Sequence, residues 1–183
     1  MKKIFCITAF NLLVTLCIHA TDSKPEPKAV FEKMTVDFKA KEGDVDGMML
    51  HLKFTVHDMK DIESSVAVYF IYNDYHRGVL KDTNQKYYSG SGDVAVYKNI
   101  KPAHNPALFE DLQIFMPYNE LDLWPGNYDL VMDVKLIHLQ GGEISKLTQY
   151  AFNFTKPLAN SSFIPSASDR KSTRLNSSHR TGS

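Results

Sequence analysis

The chain has 183 residues, 43% of them hydrophobic and 11% aromatic, and its 21 basic residues balance 21 acidic ones. That balance leaves no basic patch of the kind that binds nucleic acid, where clustered Lys and Arg supply affinity by neutralising phosphates. Cys6 and Cys17 are the two cysteines, so everything after them lacks a disulfide and a thiolate nucleophile.

In chain order, Lys2 and Lys3 precede an apolar run from Ile4 to Ile18 and the small residue Ala20. This is the order of a secretory signal peptide. The run spans 15 residues and is interrupted by Asn11, too short for a comfortable membrane span. Residues 1–20 are therefore expected to be removed, leaving no transmembrane segment in a mature chain that is secreted or periplasmic. A lipoprotein would need a small residue before its modified cysteine, and Cys17 follows Leu16. Residues 21–29, polar and proline-bearing, suit an extended linker.

At the other end, residues 157–168 read as a disordered tail. The string from Asp169 to His179 (Asp-Arg-Lys-Ser-Thr-Arg-Leu-Asn-Ser-Ser-His) looks like one reading frame of a common sequencing-library adapter, so 169–183 are read as an adapter-derived artefact. A natural Ser/Arg-rich disordered tail is the alternative, and neither has apolar residues to bury. Setting both ends aside removes six basic and one acidic residue, so that 21–168 hold 15 basic and 20 acidic groups, a net of −5 with histidine neutral.

Residues 30–156 read as one β-domain, long enough to bury an ordinary core without staples. Val30 to Lys39 alternates as a strand does. Met48, Leu50, Leu52, Phe54 and Val56 then alternate with Met49, His51, Lys53, Thr55 and His57, which puts the first set on a core face. Ser65 to Tyr72 is apolar on both faces and reads as central. Val79-Leu80 and Lys86 to Tyr88 are short candidates flanking the turn signal Asp82-Thr83-Asn84. Asp93 to Tyr97, Leu108 to Met116, Asn127 to Leu139 and Glu143 to Phe154 follow, the last two joined by the hairpin signal Gln140-Gly141-Gly142. Asn105 to Glu110 and Tyr118 to Leu121 are each candidates for a short helical turn. Seven or eight short strands without intervening helices predict an all-β, two-sheet antiparallel sandwich, with a closed barrel as the alternative.

Pro125-Gly126 places a turn just before Tyr128 at the start of a strand. The arrangement is similar to the corner of immunoglobulin and fibronectin type III sandwiches, in which such a tyrosine bonds back to the preceding backbone. Without the cysteine pair of antibody domains, the expectation is a general Ig-like sandwich.

Three pieces carry a further likeness: Gly47-Met48-Met49-Leu50-His51-Leu52-Lys53-Phe54, Leu80-Lys81-Asp82-Thr83-Asn84, and Ile114 to Leu121 with Gly126-Asn127-Tyr128. Together they resemble an uncharacterised β-sandwich domain of bacterial, Bacteroidetes-type proteins, often found C-terminal to zinc-ribbon or repeat regions. The resemblance spans about Phe31 to Phe154. It implies a binding or assembly module without known catalysis. The signal peptide and the lack of a zinc ribbon set this chain apart from the multidomain versions.

Motifs for chemistry are sparse. His51 and His57 share the outward face of one strand but lie about 20 Å apart along it, too far to hold one metal. His76, His104 and His138 have no ligand spacing, so no metal or cofactor is expected. Glu42-Gly43-Asp44-Val45-Asp46-Gly47 lacks the further ligands of a calcium loop and reads as an acidic hairpin turn. Ser89-Gly90-Ser91-Gly92-Asp93 lacks the strand-to-helix setting of a nucleophile elbow and reads as a flexible turn. Asp129 and Asp133 are expected on a solvated face beside Lys135.

Aromatic residues are the leading candidates for function. Tyr75, Tyr87, Tyr88, Tyr97 and Trp124 fall on short strands or turns, and an apolar ring with a polar tip suits recognition of a protein or a glycan. The competing role for these rings is to complete the core or cover its edge. The sequence therefore predicts an exported, non-catalytic binding or assembly module of the bacterial envelope, the alternative being a small secreted hydrolase acting on glycans.

Overall fold

The computed structural model describes residues 25–74 and 78–158; the expected signal peptide, residues 21–24 of the linker, the C-terminal tail from 159 onward, Tyr75 and His76 lie outside them. Seven strands form: β1 (Lys28–Glu42), β2 (Val45–His57), β3 (Ser64–Tyr72), β4 (Ala95–Ile100), β5 (Ala107–Pro117), β6 (Gly126–His138) and β7 (Glu143–Lys156). They make two antiparallel sheets, one in the order β1-β2-β5 and the other β4-β3-β6-β7. The expected Ig-like sandwich is the fold.

Its core follows directly from the alternation in β2. Met48, Leu50, Leu52, Phe54 and Val56 are fully buried, and facing them lie Val66, Val68 and Phe70 of β3 with Leu130, Met132, Val134 and Leu136 of β6. Removing each large side chain from water is worth roughly 1.5–3 kcal/mol, so these rows supply the main drive for closing one sheet on the other. The alternate residues of β2 are half-buried on the outer face.

One side of the sandwich is also closed at its edges. The ring of Phe38 on β1 lies 5.7 Å from Phe152 and 6.4 Å from Tyr150 of β7. The Tyr118 hydroxyl donates to the Phe38 carbonyl at 2.7 Å, and the Ala29 amide donates to Ser145 Oγ at 2.9 Å. Two long edge strands thus shield each other, which removes free pairing edges.

Local signals mark several turns correctly. Gly43 at φ +59° turns β1 into β2 within the acidic hairpin, and Gly141 and Gly142 at φ +95° and +96° turn β6 into β7. Tyr118–Leu121 forms the expected helical turn, of the 3₁₀ type. Asn105 to Glu110 does not: from Ala107 the chain is extended, pairing Ala107 with Val56 and Phe109 with Phe54. The Phe54 and Phe109 rings stack at 4.9 Å, a cross-strand contact that outweighs local preference. Val79-Leu80 and Lys86 to Tyr88 form isolated bridges instead of strands, Ile71 to Val79 and Tyr88 to Val94, and the fourth strand begins later than expected, at Ala95.

The corner tyrosine behaves as expected. Tyr128 Oη donates to the Trp124 carbonyl at 2.9 Å, and the ring leans on Tyr72 at 6.3 Å. The bond is partly open to solvent, so Tyr128→Phe is expected to cost about 0.5–1.5 kcal/mol in urea unfolding. Asn127→Ala on the exposed face should cost within about 0.5 kcal/mol; equal effects at the two positions would count against the corner. Gly47 is constrained differently, because an added Cβ would stand 2.5 Å from both the Met116 carbonyl oxygen and the Phe115 ring. Gly47→Ala should therefore destabilise the fold by about 1–3 kcal/mol through overpacking, read as a fall in the urea midpoint.

Candidate functional site

The four-stranded sheet presents an unusual outer face. Its cross-strand pairs bring Asn99, Ser65 and Ile137 into one row, Tyr97, Ala67 and Lys135 into the next, and Ala95, Tyr69 and Asp133 into a third. Small residues at Ser65, Ala67 and Ala95 keep the middle of this face low, while Tyr69 and Tyr97 stand up from it. Their rings meet edge to face, with centroids 6.3 Å apart and planes at 87°, the geometry that aromatic quadrupoles favour.

Two turns raise walls around this floor and make a cleft of ≈ 530 Å³. One is Tyr88 to Ser91; the other runs from His138 to Gly141. The volume falls within the range of small-ligand sites.

The first wall is held by a dense polar network. The Ala95 amide donates to the Tyr87 carbonyl at 2.8 Å, fixing which way the two adjacent tyrosines point. Asp82 organises the approach, its carboxylate accepting from the amides of Asn84, Gln85 and Tyr87. Ser89 Oγ accepts from the amides of Ser91 and Asp93, and the Ser91 hydroxyl donates to Asp93, which Lys81 also binds. Burial pushes the Asp93 carboxyl up, but the Lys81 and Ser91 hydrogen bonds, the Lys81 charge and Ser89 together hold it below its ordinary value. The serine turn expected to be flexible is thus closed by hydrogen bonds, and its hydroxyls serve an already ion-paired carboxylate.

The predicted aromatic residues separate. Tyr88, 50% exposed, and Tyr97, 37% exposed, line the cleft together. Tyr87 is half-buried and packs against the core. Trp124 is 84% exposed on the loop entering β6 and does not line the cleft, and Tyr75 lies outside the described residues. Burial, followed by the Tyr69 hydroxyl and the charge of Asp93, pushes the Tyr97 phenol above its ordinary value, so it remains a neutral hydrogen-bonding group. Sequence reasoning missed Tyr69, Ser65 and Asn99. Tyr69 sits in a run read as a central strand, and only cross-strand register shows that it meets Tyr97.

A second polar feature occupies the outer face of the three-stranded sheet. His51 Nδ1 lies 2.8 Å from Asp111 Oδ1, and Lys53 lies 3.0 Å from Glu110 and 3.4 Å from Glu32. Hydrogen bonds from Gln113 and His51 hold the Asp111 carboxyl below the usual range, and Glu110 raises Lys53. Asp133, expected on a solvated face, is instead buried on the four-stranded sheet, accepting from Gln149 at 2.9 Å and lying 3.5 Å from Lys135 and 3.4 Å from Lys146.

The packing of the adjacent tyrosines makes a direct test. Tyr88→Ala should leave stability within about 0.5 kcal/mol, whereas Tyr87→Ala should cost roughly 2 kcal/mol or more in denaturant unfolding. Equal losses would mean that both rings serve the core.

No protein-family profile and no curated protein matches the chain. Among solved structures, the solution structure of a putative late embryogenesis abundant protein is similar at 17% identity over 73% of this chain and 72% of the other, with a TM-score of 0.26.

Proposed function

We propose that the chain is an exported, non-catalytic binding or assembly module of the bacterial cell envelope, and that the cleft on the four-stranded sheet is its recognition surface. One observation carries this reading. Tyr88 and Tyr97, nine residues apart on the chain, open into one cleft whose floor is hydrogen-bonded sheet, and aromatic rings held on a scaffold are the residues that most often dominate recognition energy. Export is supported by the charged, apolar and small-residue order of residues 1–20.

A small secreted hydrolase is the second reading, and the His51–Asp111 pair favours it. A carboxylate bonded to Nδ1 orients a histidine as a general base. The pair stands open to solvent, and no serine or cysteine among the described residues lines its depression. Hydrolysis of fluorogenic glycosides that disappears in His51→Ala would establish the hydrolase instead.

Expression of the full chain in a bacterium should yield a secreted or periplasmic product whose N-terminus, read by mass spectrometry, is Thr21. In a binding screen against envelope proteins and glycans, the Tyr88→Ala, Tyr97→Ala double variant should lose about 2 kcal/mol or more toward any partner found. A cytoplasmic product with residues 1–20 intact would overturn export. Unchanged binding by the folded double variant would overturn the cleft.

A further inference from the structure

We infer that the cleft takes a neutral saccharide, a ligand class that rests on the cleft being the recognition surface. Its lining pairs phenol rings with uncharged hydrogen-bonding groups. Tyr69, Tyr88 and Tyr97 supply the rings; Asn99 and Gln140 supply amides and His138 an imidazole. None of the described residues lining it is Asp, Glu, Lys or Arg.

Several charges close to the cleft are already matched, while Lys98 stands outside its lining. Asp93 binds Lys81, Glu63 lies 3.0 Å from Lys101, and Lys135 lies 2.9 Å from Glu143. Among the described residues an anionic ligand would therefore find no lysine or arginine in the lining, only His138, and an ionic peptide side chain would be desolvated without a strong partner, which is costly. A pyranose meets the site on both counts, since its C–H face packs on an aromatic ring while its hydroxyls exchange hydrogen bonds with neutral donors and acceptors.

A buried, unpartnered group in the lining points the same way. Ser65 is 3% exposed and its Oγ, like that of Ser64 outside the cleft, has no hydrogen-bond partner among the described residues, although buried hydroxyls are nearly always satisfied. Ser65 lies at the floor of the cleft in the row between Asn99 and Ile137, where a ligand hydroxyl would complete it once the side chains above shift to open its Oγ.

An extended peptide fits less well. Strand addition needs a free edge, and the β4 edge is already partly taken, with Tyr88 bridging Val94 and the Ala95 amide bonded to the Tyr87 carbonyl. Only a few residues of β4 remain, and Lys98 is exposed among them, a charge of the kind that blunts edges.

The test is a titration of the ¹⁵N-labelled full chain, followed by NMR, with cello-, malto-, manno- and chito-tetraose, with an oligogalacturonate of similar length, and with a mixture of extended peptides. At least one neutral tetrasaccharide should shift amide signals of Tyr88–Ser91, Tyr97–Asn99 and His138–Gly141. Its affinity should fall roughly tenfold or more in Tyr97→Ala and measurably in Ser65→Ala, with both variants retaining the dispersed spectrum of the folded domain. Equal or tighter binding of oligogalacturonate would overturn the preference for neutral sugars. Peptides shifting the cleft signals while every saccharide is silent would overturn the saccharide and keep the binding module. Shifts that map only outside the cleft, or none with any probe, would overturn both.

Discussion

The structure depends on one buried row, Met48 to Val56, which faces the inner residues of β3 and β6 with every side chain fully shielded. No cysteine lies beyond residue 17, so no disulfide constrains the domain and its closure rests on packing. This explains why the core is continuous from β2 through β6 to Phe152 and Phe154 on β7. It also explains why edges and corners are tied by side chains: Tyr118 to β1, Tyr128 to the loop before β6, and Ser145 to the start of β1. Each bond is worth about 1 kcal/mol, and together they keep the ends of the two sheets in register.

The same inner row leaves the outer faces free to differ. On the three-stranded sheet the outward positions carry alternating charges, with Lys53 between two glutamates and His51 against Asp111. Exposed pairs of this kind contribute little stability and mainly keep the face wetted. On the four-stranded sheet the middle rows carry Ser65, Ala67 and Ala95, and charge is confined to the side near β7, where Asp133 is neutralised by Lys135 and Lys146. Where small side chains replace large polar ones, a sheet face becomes concave. The tyrosines then define its contour.

Placing the cleft on strands gives it stiffness that a loop site lacks. Tyr69 and Tyr97 are held by paired backbones and by each other, which leaves these rings little side-chain entropy to lose in any contact. The Tyr88 to Ser91 wall owes its order to Asp82 and Asp93, two carboxylates whose acceptor capacity is taken up by backbone amides, hydroxyls and Lys81. These acids shape the site without presenting charge to it.

What the sequence by itself determined were features set by neighbours along the chain. Period-two alternation assigned β2 its inner face, apolar residues on both faces marked β3 as central, glycines placed the β6–β7 hairpin, and Pro125-Gly126 before Tyr128 announced the corner. Asn105 to Glu110 misled because a local turn tendency lost to pairing with β2, and the ends of β4 shifted because its partner on β3 sets its register. The cleft was beyond such reasoning. Tyr88 and Tyr97 were legible as candidate surface aromatics, but neighbouring Tyr87 was not separable from Tyr88, since alternation gives a relative face and only the hydrogen bond from Ala95 fixes the absolute one. The row that sets Ser65 between Asn99 and Ile137 joins three strands far apart in the chain. Such rows are decided by sheet register, a non-local property that arises when the buried faces close on each other, and for that reason the site exists only in the tertiary structure.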